Sequence, residues 1–263
     1  RPDFEAIMDT AKEAFIRWME TGEPDKHLQG IDLPDVPLWA AWAIQRYSHD
    51  TDVPTARERY GELVAQLIDF IIDGKHPNLQ VDDNGLVRTD GTRQPMSWMD
   101  SARPDGTPLI PRTGYLVEFN ALWYNALMFL LQMYADDKQM QSRVERWQKI
   151  SDAYAESFAP TFLNEYGYLY DYVNGSYTDL SVRPNMVIAV GVDHTPLDRR
   201  QRKRILDFIT RELLTPKGLR TLSPNSYGYN PWYVGNPEQR EMAYYSGSAR
   251  PWLMGFYCHA YVK

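Results

Sequence analysis

Apolar residues recur at three- and four-residue steps along most of the chain, the spacing of helices that bury one face. Phe4, Ile7, Met8, Ala11, Phe15 and Trp18 make the first stripe, and Gly22 and Pro24 stop it. Residues 38–47 are apolar on most sides, as in a helix flanked on both faces. Val64, Leu67, Ile68 and Ile71 form a stripe ended by Gly74. The strongest pattern is Phe119, Leu122, Trp123, Ala126, Leu127, Leu130, Leu131 and Tyr134. Asp136 and Asp137 are expected to open the next helix, which carries Val144, Trp147, Ile150, Tyr154 and Phe158 and stops at Pro160. Further helices are expected at 184–190, 197–214 and 251–261, with Pro184, Pro196 and Pro251 near first turns, where proline is tolerated.

About eight helices result, joined by short links that alternate with long ones at 74–114, 165–183 and 215–250. Connections that long are uncommon in compact domains unless they carry function. The alternation predicts one domain of stacked helical hairpins over 1–263, with the long loops gathered at one end. Short strands are expected at 85–88 and 166–172.

Composition narrows the function classes. No apolar run approaches the roughly 18–20 residues of a membrane-spanning helix. A net charge of -7 argues against a nucleic-acid partner, because phosphates need a positive face. The single Cys258 excludes a disulfide scaffold and a cysteine zinc cluster, and the five histidines show no ligand spacing, so no metal is expected. Eight Trp and eighteen Tyr stand beside nine Phe. Flat faces with hydrogen-bonding edges suit sugar rings. Arg1 opens the chain with no initiator Met and no signal segment, so a piece of a longer, cytoplasmic protein is expected.

Several carboxylates sit beside aromatics. In Ser97-Trp98-Met99-Asp100 a tryptophan next to an acid can desolvate it and raise its pKa, as a general acid requires; a solvated turn is the alternative. Glu118, in an apolar helix with Asn120 and Asn125, either caps the helix N-terminus or faces a polar pocket. Asp35, before Pro37 and Trp39, reads as an N-cap. Arg183-Pro184-Asn185 enters a helix in the same way. The last long loop concentrates Arg220, Tyr229, Trp232, Arg240, Glu241, Tyr244 and Tyr245.

Three blocks together are specific: Ser97-Trp98-Met99-Asp100, Pro111-Arg112-Thr113-Gly114, and residues 117–127 with Glu118-Phe119-Asn120-Ala121-Leu122-Trp123-Tyr124-Asn125. With Asp35-Val36-Pro37-Leu38-Trp39, Arg183-Pro184-Asn185, residues 213–222, and Ala243-Tyr244-Tyr245-Ser246-Gly247 running into Pro251-Trp252, the chain resembles the glycogen debranching enzyme (amylo-alpha-1,6-glucosidase) family over about 30–260.

The resemblance implies an all-α fold, an (α/α)6 toroid whose long loops, with minor β-structure, build a sugar pocket. Twelve helices complete such a ring, so missing N-terminal helices, or an N-terminal domain, are implied partners. It also implies an inverting hydrolase, working without an organic cofactor, that removes α-1,6-linked glucose at branch points of glycogen or a related α-glucan, with an acid and a base on opposite sides of the bond. Asp100 falls on the proton-donor position. The glutamate that some members carry in the terminal loop would fall at Ala249; Glu241 is the first candidate base and Glu118 the second. Asp35, Trp39, Asn120, Arg183, Asn185 and Tyr229 are implied sugar contacts, and Trp98, Trp123 and Trp232 stacking faces. Tyr245-Ser246 stands where members carry His-Gln, which leaves open a non-catalytic sugar-binding toroid or another exo-acting α-glycosidase, trehalase- or glucoamylase-like.

Overall fold

The computed structural model describes residues 2–28 and 30–263. Helix α1 (Pro2–Thr21) has Asp3 and Glu5 in its first turn, where the helix dipole favours them, and buries Met8, Ala14, Phe15 and Trp18. Ile7, one member of the apolar stripe, faces solvent. The helix stops at Gly22, which takes a left-handed φ of 73° while its N–H bonds the Trp18 carbonyl. Next come α2 (Val36–Asp50), a short α3 (Val53–Ala56) capped by Asp52, and a π-helical turn (Arg57–Gly61) leading into α4 (Glu62–Ile72).

α5 (Val117–Tyr134) is buried nearly all round, and α7 (Met186–Gly191) entirely so. Such helices sit inside a larger assembly of helices. α6 (Gln141–Phe162) and α8 (Arg199–Leu213) instead bury one stripe each: Trp147, Ser151, Tyr154, Phe158 and Phe162 in the first, Ile205, Leu206, Ile209 and Leu213 in the second. α6 begins at Gln141 rather than at the aspartates, because one Asp137 oxygen accepts the Gln139 N–H in a turn and the other pairs with Arg57. It also runs through Pro160, which lies on the exposed face of the last turn. α8 opens with a capping box between Asp198 and Gln201. α9 (Pro237–Tyr245), unforeseen in the last long loop, is likewise capped by Asn236 and Gln239. A 3₁₀ turn (Pro251–Leu253) enters α10 (Met254–Val262).

The layers follow from burial. α2, α5, α7 and α10 stand side by side as an inner row, α2 beside α5, α5 beside α7 and α7 beside α10. α4 and α6 back α5 from outside, α8 backs α7 and α10, and α1 lies on α4 and reaches α2 through the stacked rings of Phe4 and Tyr47. Outer and inner helices alternate along the chain. Among the described residues these are four outer–inner pairs of an (α/α) toroid, so the all-α fold expected from the periodicity is the one observed. Among the described residues, no helix is long and apolar enough to cross a membrane.

Every inner helix receives its chain from a loop at its N-terminal end, and those loops carry the β-structure. β1 (Gln80–Val81) pairs with β2 (Val87–Arg88); β3 (Tyr115–Leu116), β4 (Tyr172–Asn174) and β5 (Tyr177–Thr178) form a second antiparallel sheet. β6 (Leu214–Thr215), β7 (Gly218–Arg220) and β8 (Ala249–Arg250) form a third. The strand expected at 166–172 is reduced to a single bridge between Leu163 and Leu169, and pairing begins only at Tyr172.

Candidate active site

Asp35 precedes α2, Glu118 lies in the first turn of α5, Asn185 precedes α7, and Ala249 precedes α10 through the 3₁₀ turn. The candidate residues therefore gather at the N-terminal ends of the inner helices, where the dipoles favour negative charge. The loop between β2 and β3 folds across these ends and delivers Asp100.

At the floor lies a buried ion cluster. Arg112 grips Glu118 with two hydrogen bonds (2.6 and 2.8 Å) and donates its Nε–H to Asp171 Oδ2 (2.6 Å). Asn185 donates to Asp171 Oδ1 at 2.8 Å, and Arg183 approaches Asp171 at 3.9 Å. Burial holds the Arg183 pKa below its usual value, whereas the Asp171 and Glu118 carboxylates outweigh burial at Arg112 and push its pKa up. Two cations and two carboxylates balance, as a cluster at this depth requires. Arg183 further donates to the carbonyls of Tyr245 (2.7 Å) and Thr221 (3.2 Å), tying the last long loop to the cluster.

The Trp-Met-Asp turn rests on this floor. Arg112 reaches Ser97 Oγ (3.3 Å), which accepts the Met99 N–H (3.2 Å), and Met99 is fully buried with its sulfur 3.2 Å from Asn185 Nδ2. Asp100 is half-buried; its Oδ1 accepts the N–H groups of Ser101 (2.8 Å) and Ile110 (2.7 Å). Burial raises its pKa against the opposing pull of those N–H groups and of the Arg112 charge. Ser101 Oγ donates to Glu241 Oε2 at 2.9 Å and meets Tyr245 Oη at 2.9 Å, and Tyr245 donates to the Asp100 carbonyl at 3.1 Å. Thus α9 brings Glu241 to the residue that follows Asp100.

Asp35 departs from the cap expected of it. Its side chain makes no capping bond. It is buried instead, beside Trp39 and Trp98 and near Glu118, and burial raises its pKa to about 6. Trp39 and Trp98 continue into an apolar cavity of about 570 Å³ between α2 and α10, walled by Trp42, Trp252 and Phe256.

Other expectations fall elsewhere. Trp123 is fully buried with its indole N–H on the Gly85 carbonyl, so it has no face to stack on a sugar. Asn120 is fully buried and pairs both ways with the Val87 backbone, closing β2 onto α5. Glu118 has both oxygens held by Arg112. Trp232 is 72% exposed on the outer face of the last loop, and half-exposed Tyr229 packs against Gly247. Ser101 and Asp171, central to the geometry, were not singled out from sequence. Nothing local marks them, since Ser101 meets Glu241 and Asp171 meets Arg112 across more than fifty residues.

The family pattern described as amylo-alpha-1,6-glucosidase matches residues 27–263. The chain belongs to that family. The family is one of glycoside hydrolases, and its match spans the inner helices and every loop that builds the candidate site. The chain is 24% identical to the glycogen debranching enzyme of Saccharomyces cerevisiae, over 74% of this chain, and spans 15% of that protein's length. A GH78 family rhamnosidase of Bacillus sp. GL1 superposes with a TM-score of 0.50 at 14% identity, over 68% of this chain and 17% of that one. That likeness concerns the helical fold alone.

Proposed function

We propose that this chain carries the glucose-releasing site of an inverting glycoside hydrolase that removes α-1,6-linked glucose at branch points of glycogen or a related α-glucan. The observation that carries the reading is the arrangement around Asp100: a half-buried carboxyl with a raised pKa, linked through Ser101 to a second carboxylate, Glu241. Family membership and the debranching enzyme among its relatives support the linkage.

In this reading Asp100 gives its proton to the glycosidic oxygen as the bond to C1 breaks. Glu241 takes a proton from a water that attacks C1 from the opposite face, so glucose leaves as the β-anomer. Asp35 accepts hydroxyls of the terminal glucose, with Trp39 and Trp98 as its walls. The buried cluster of Arg112, Glu118, Asp171 and Asn185 fixes the loop that aims Asp100.

Asp100→Asn, which keeps an acceptor for the Ser101 and Ile110 N–H groups, is expected to lower glucose release from branched dextrin by about 10²–10⁴-fold with an unchanged melting temperature. NMR of the fresh product reports the rate and the anomer together. Unchanged turnover would remove Asp100 from the chemistry, and α-glucose as first product would remove inversion. One observation favours a second reading, sugar binding without hydrolysis: Ala249 brings no carboxyl to the entry of α10. Retention of glucan by a parent chain that releases no glucose selects it.

A further inference from the structure

The chain carries a net charge of -7, yet five of its 28 lysines and arginines fall within six consecutive residues. They are Arg199, Arg200, Arg202, Lys203 and Arg204, in the opening turns of α8. Helix electrostatics disfavours them there. The dipole repels cations from an N-terminal end, and like charges four residues apart, as at Arg199 and Lys203 or Arg200 and Arg204, destabilise a helix. A ligand of opposite charge relieves both costs.

One side of this cluster borders a hollow of about 370 Å³. Arg200, Lys203, Arg204 and Arg211 follow that side of α8 at three-, four- and seven-residue steps and line it. Tyr166, 58% exposed and carried by the turn after α6, lines it with them. Phe208 completes the lining, its ring stacked on Tyr168 at 4.4 Å and covered by the Arg211 guanidinium at 4.7 Å.

The hollow is held in shape before any ligand arrives. Asn164 Oδ1 accepts the N–H groups of Tyr166 (3.0 Å) and Tyr168 (3.3 Å), which fixes the turn. Gly167, at a φ of 87°, leaves room for Arg204: a Cβ there would lie 1.9 Å from Arg204 Nε. The Arg204 guanidinium lies over the glycine and reaches the Glu165 carbonyl at 3.4 Å. Preorganised walls reduce the entropy lost on binding.

The charges do not cancel. Asp207 pairs with Lys203 at 2.6 Å, and Glu212 with Arg211 at 3.1 Å. Among the described residues Arg200 and Arg204 make no ion pair. Two uncompensated guanidinium groups match the charge of a phosphomonoester dianion, and their planar forks match its oxygens, whereas a carboxylate occupies a single fork. The free surface of the Tyr166 ring offers a stacking face to whatever ring carries the phosphate.

We propose that this hollow binds a small organic phosphate, a sugar or nucleoside ring bearing one phosphomonoester, with the phosphate on Arg200 and Arg204 and the ring on Tyr166. The proposal stands without the function proposed above.

Calorimetry of the full chain with inorganic phosphate, glucose 6-phosphate and AMP tests it. At least one organic phosphate is expected to bind at least about tenfold tighter than inorganic phosphate, and the tighter of the two identifies the ring. Arg200→Ala/Arg204→Ala, at two exposed positions, is expected to weaken that ligand at least about tenfold without lowering the melting temperature, because it also removes a repulsion within α8. Tyr166→Ala is expected to erase the preference over inorganic phosphate. Equal binding by parent and double variant overturns the proposal, as does a parent that binds inorganic phosphate as tightly as both organic probes. A parent that binds polyglutamate but none of the three phosphates also overturns it, and marks the face as a dock for an acidic protein segment.

Discussion

At the residue scale, Asp35 is the group whose placement changes most between sequence and fold. A carboxyl before a helix with proline in its first turn is expected to cap the helix, yet the side chain turns inward between Trp39 and Trp98. In the folded chain burial holds its pKa near 6, against 3.8 when solvated, so the folded state binds the proton more tightly than the unfolded one. The associated stability is complete below pH 3.8 and lost as pH rises through 6, a difference on the order of 3 kcal/mol. Asp35→Asn keeps an acceptor but has no charge to bury. Chemical denaturation is therefore expected to find the variant close to the parent at pH 4 and more stable at pH 7.5, while glucose binding weakens. A stability difference that does not change over that range would mean the carboxyl ionises as freely as in water. The neighbouring residues divide by the same physics. Trp98 and Asp100 were singled out by the family resemblance of the Trp-Met-Asp block, because the spacing of an acid beside an aromatic left a solvated turn open. The places of Trp123 and Asn120 were not legible, because a polar edge on a fully buried helix serves equally well to satisfy the backbone of a strand, and that partner lies over thirty residues away.

At the element scale, the strong helices were visible where burial follows a stripe, as in α6 and α8, or where the apolar run is nearly continuous, as in α5. α9 was not, because only Ala243 and Tyr245 of its residues are buried and its signal is the capping box of Asn236 and Gln239. The missed helix matters, since it presents Glu241 to Ser101. What joins these elements is ionic. Arg112 links the loop before β3 to α5 through Glu118, and to the loop before β4 through Asp171. Arg112→Met leaves buried Glu118 without its cation and Asp171 with only Arg183 at 3.9 Å, and is expected to cost about 3–5 kcal/mol, read from urea midpoints at pH 7. Activity should fall at every pH, because Ser97 and the turn bearing Asp100 lose their anchor. A variant as stable as the parent would mean that the cluster is wetter than its burial implies.

At the scale of the whole molecule, the inner row has an interior and two ends. α5 and α7 are enclosed by their neighbours, whereas α2 and α10, first and last in the row, meet across a seam of aromatic rings. Phe256 lies 5.1 Å from Trp42 and 6.0 Å from Trp39, and Trp252 lies 5.9 Å from Trp39. Behind the rings, Asp193 collects His49 of α2 and His259 and Lys263 at the end of the chain. The rings do not fill the seam, and the apolar cavity of about 570 Å³ remains between the two helices. We propose that any further outer–inner pairs of the ring enter at this seam. In a polypeptide that supplies such pairs, they are expected to seat against Trp42, Trp252 and Phe256. Tryptophan fluorescence in a Trp232→Phe background, which removes the more exposed ring, reads this: Trp252 is 43% exposed in the present chain, so iodide should quench it here and quench it less in the longer polypeptide, with emission shifted to the blue. Equal quenching in both would place any further helices elsewhere. Shielding would have a catalytic consequence as well, because Trp39 and Trp98 are shared between the seam and Asp35. Closing the seam then removes water from one wall of the proposed glucose pocket, and glucose release is expected to rise with the shielding of Trp252.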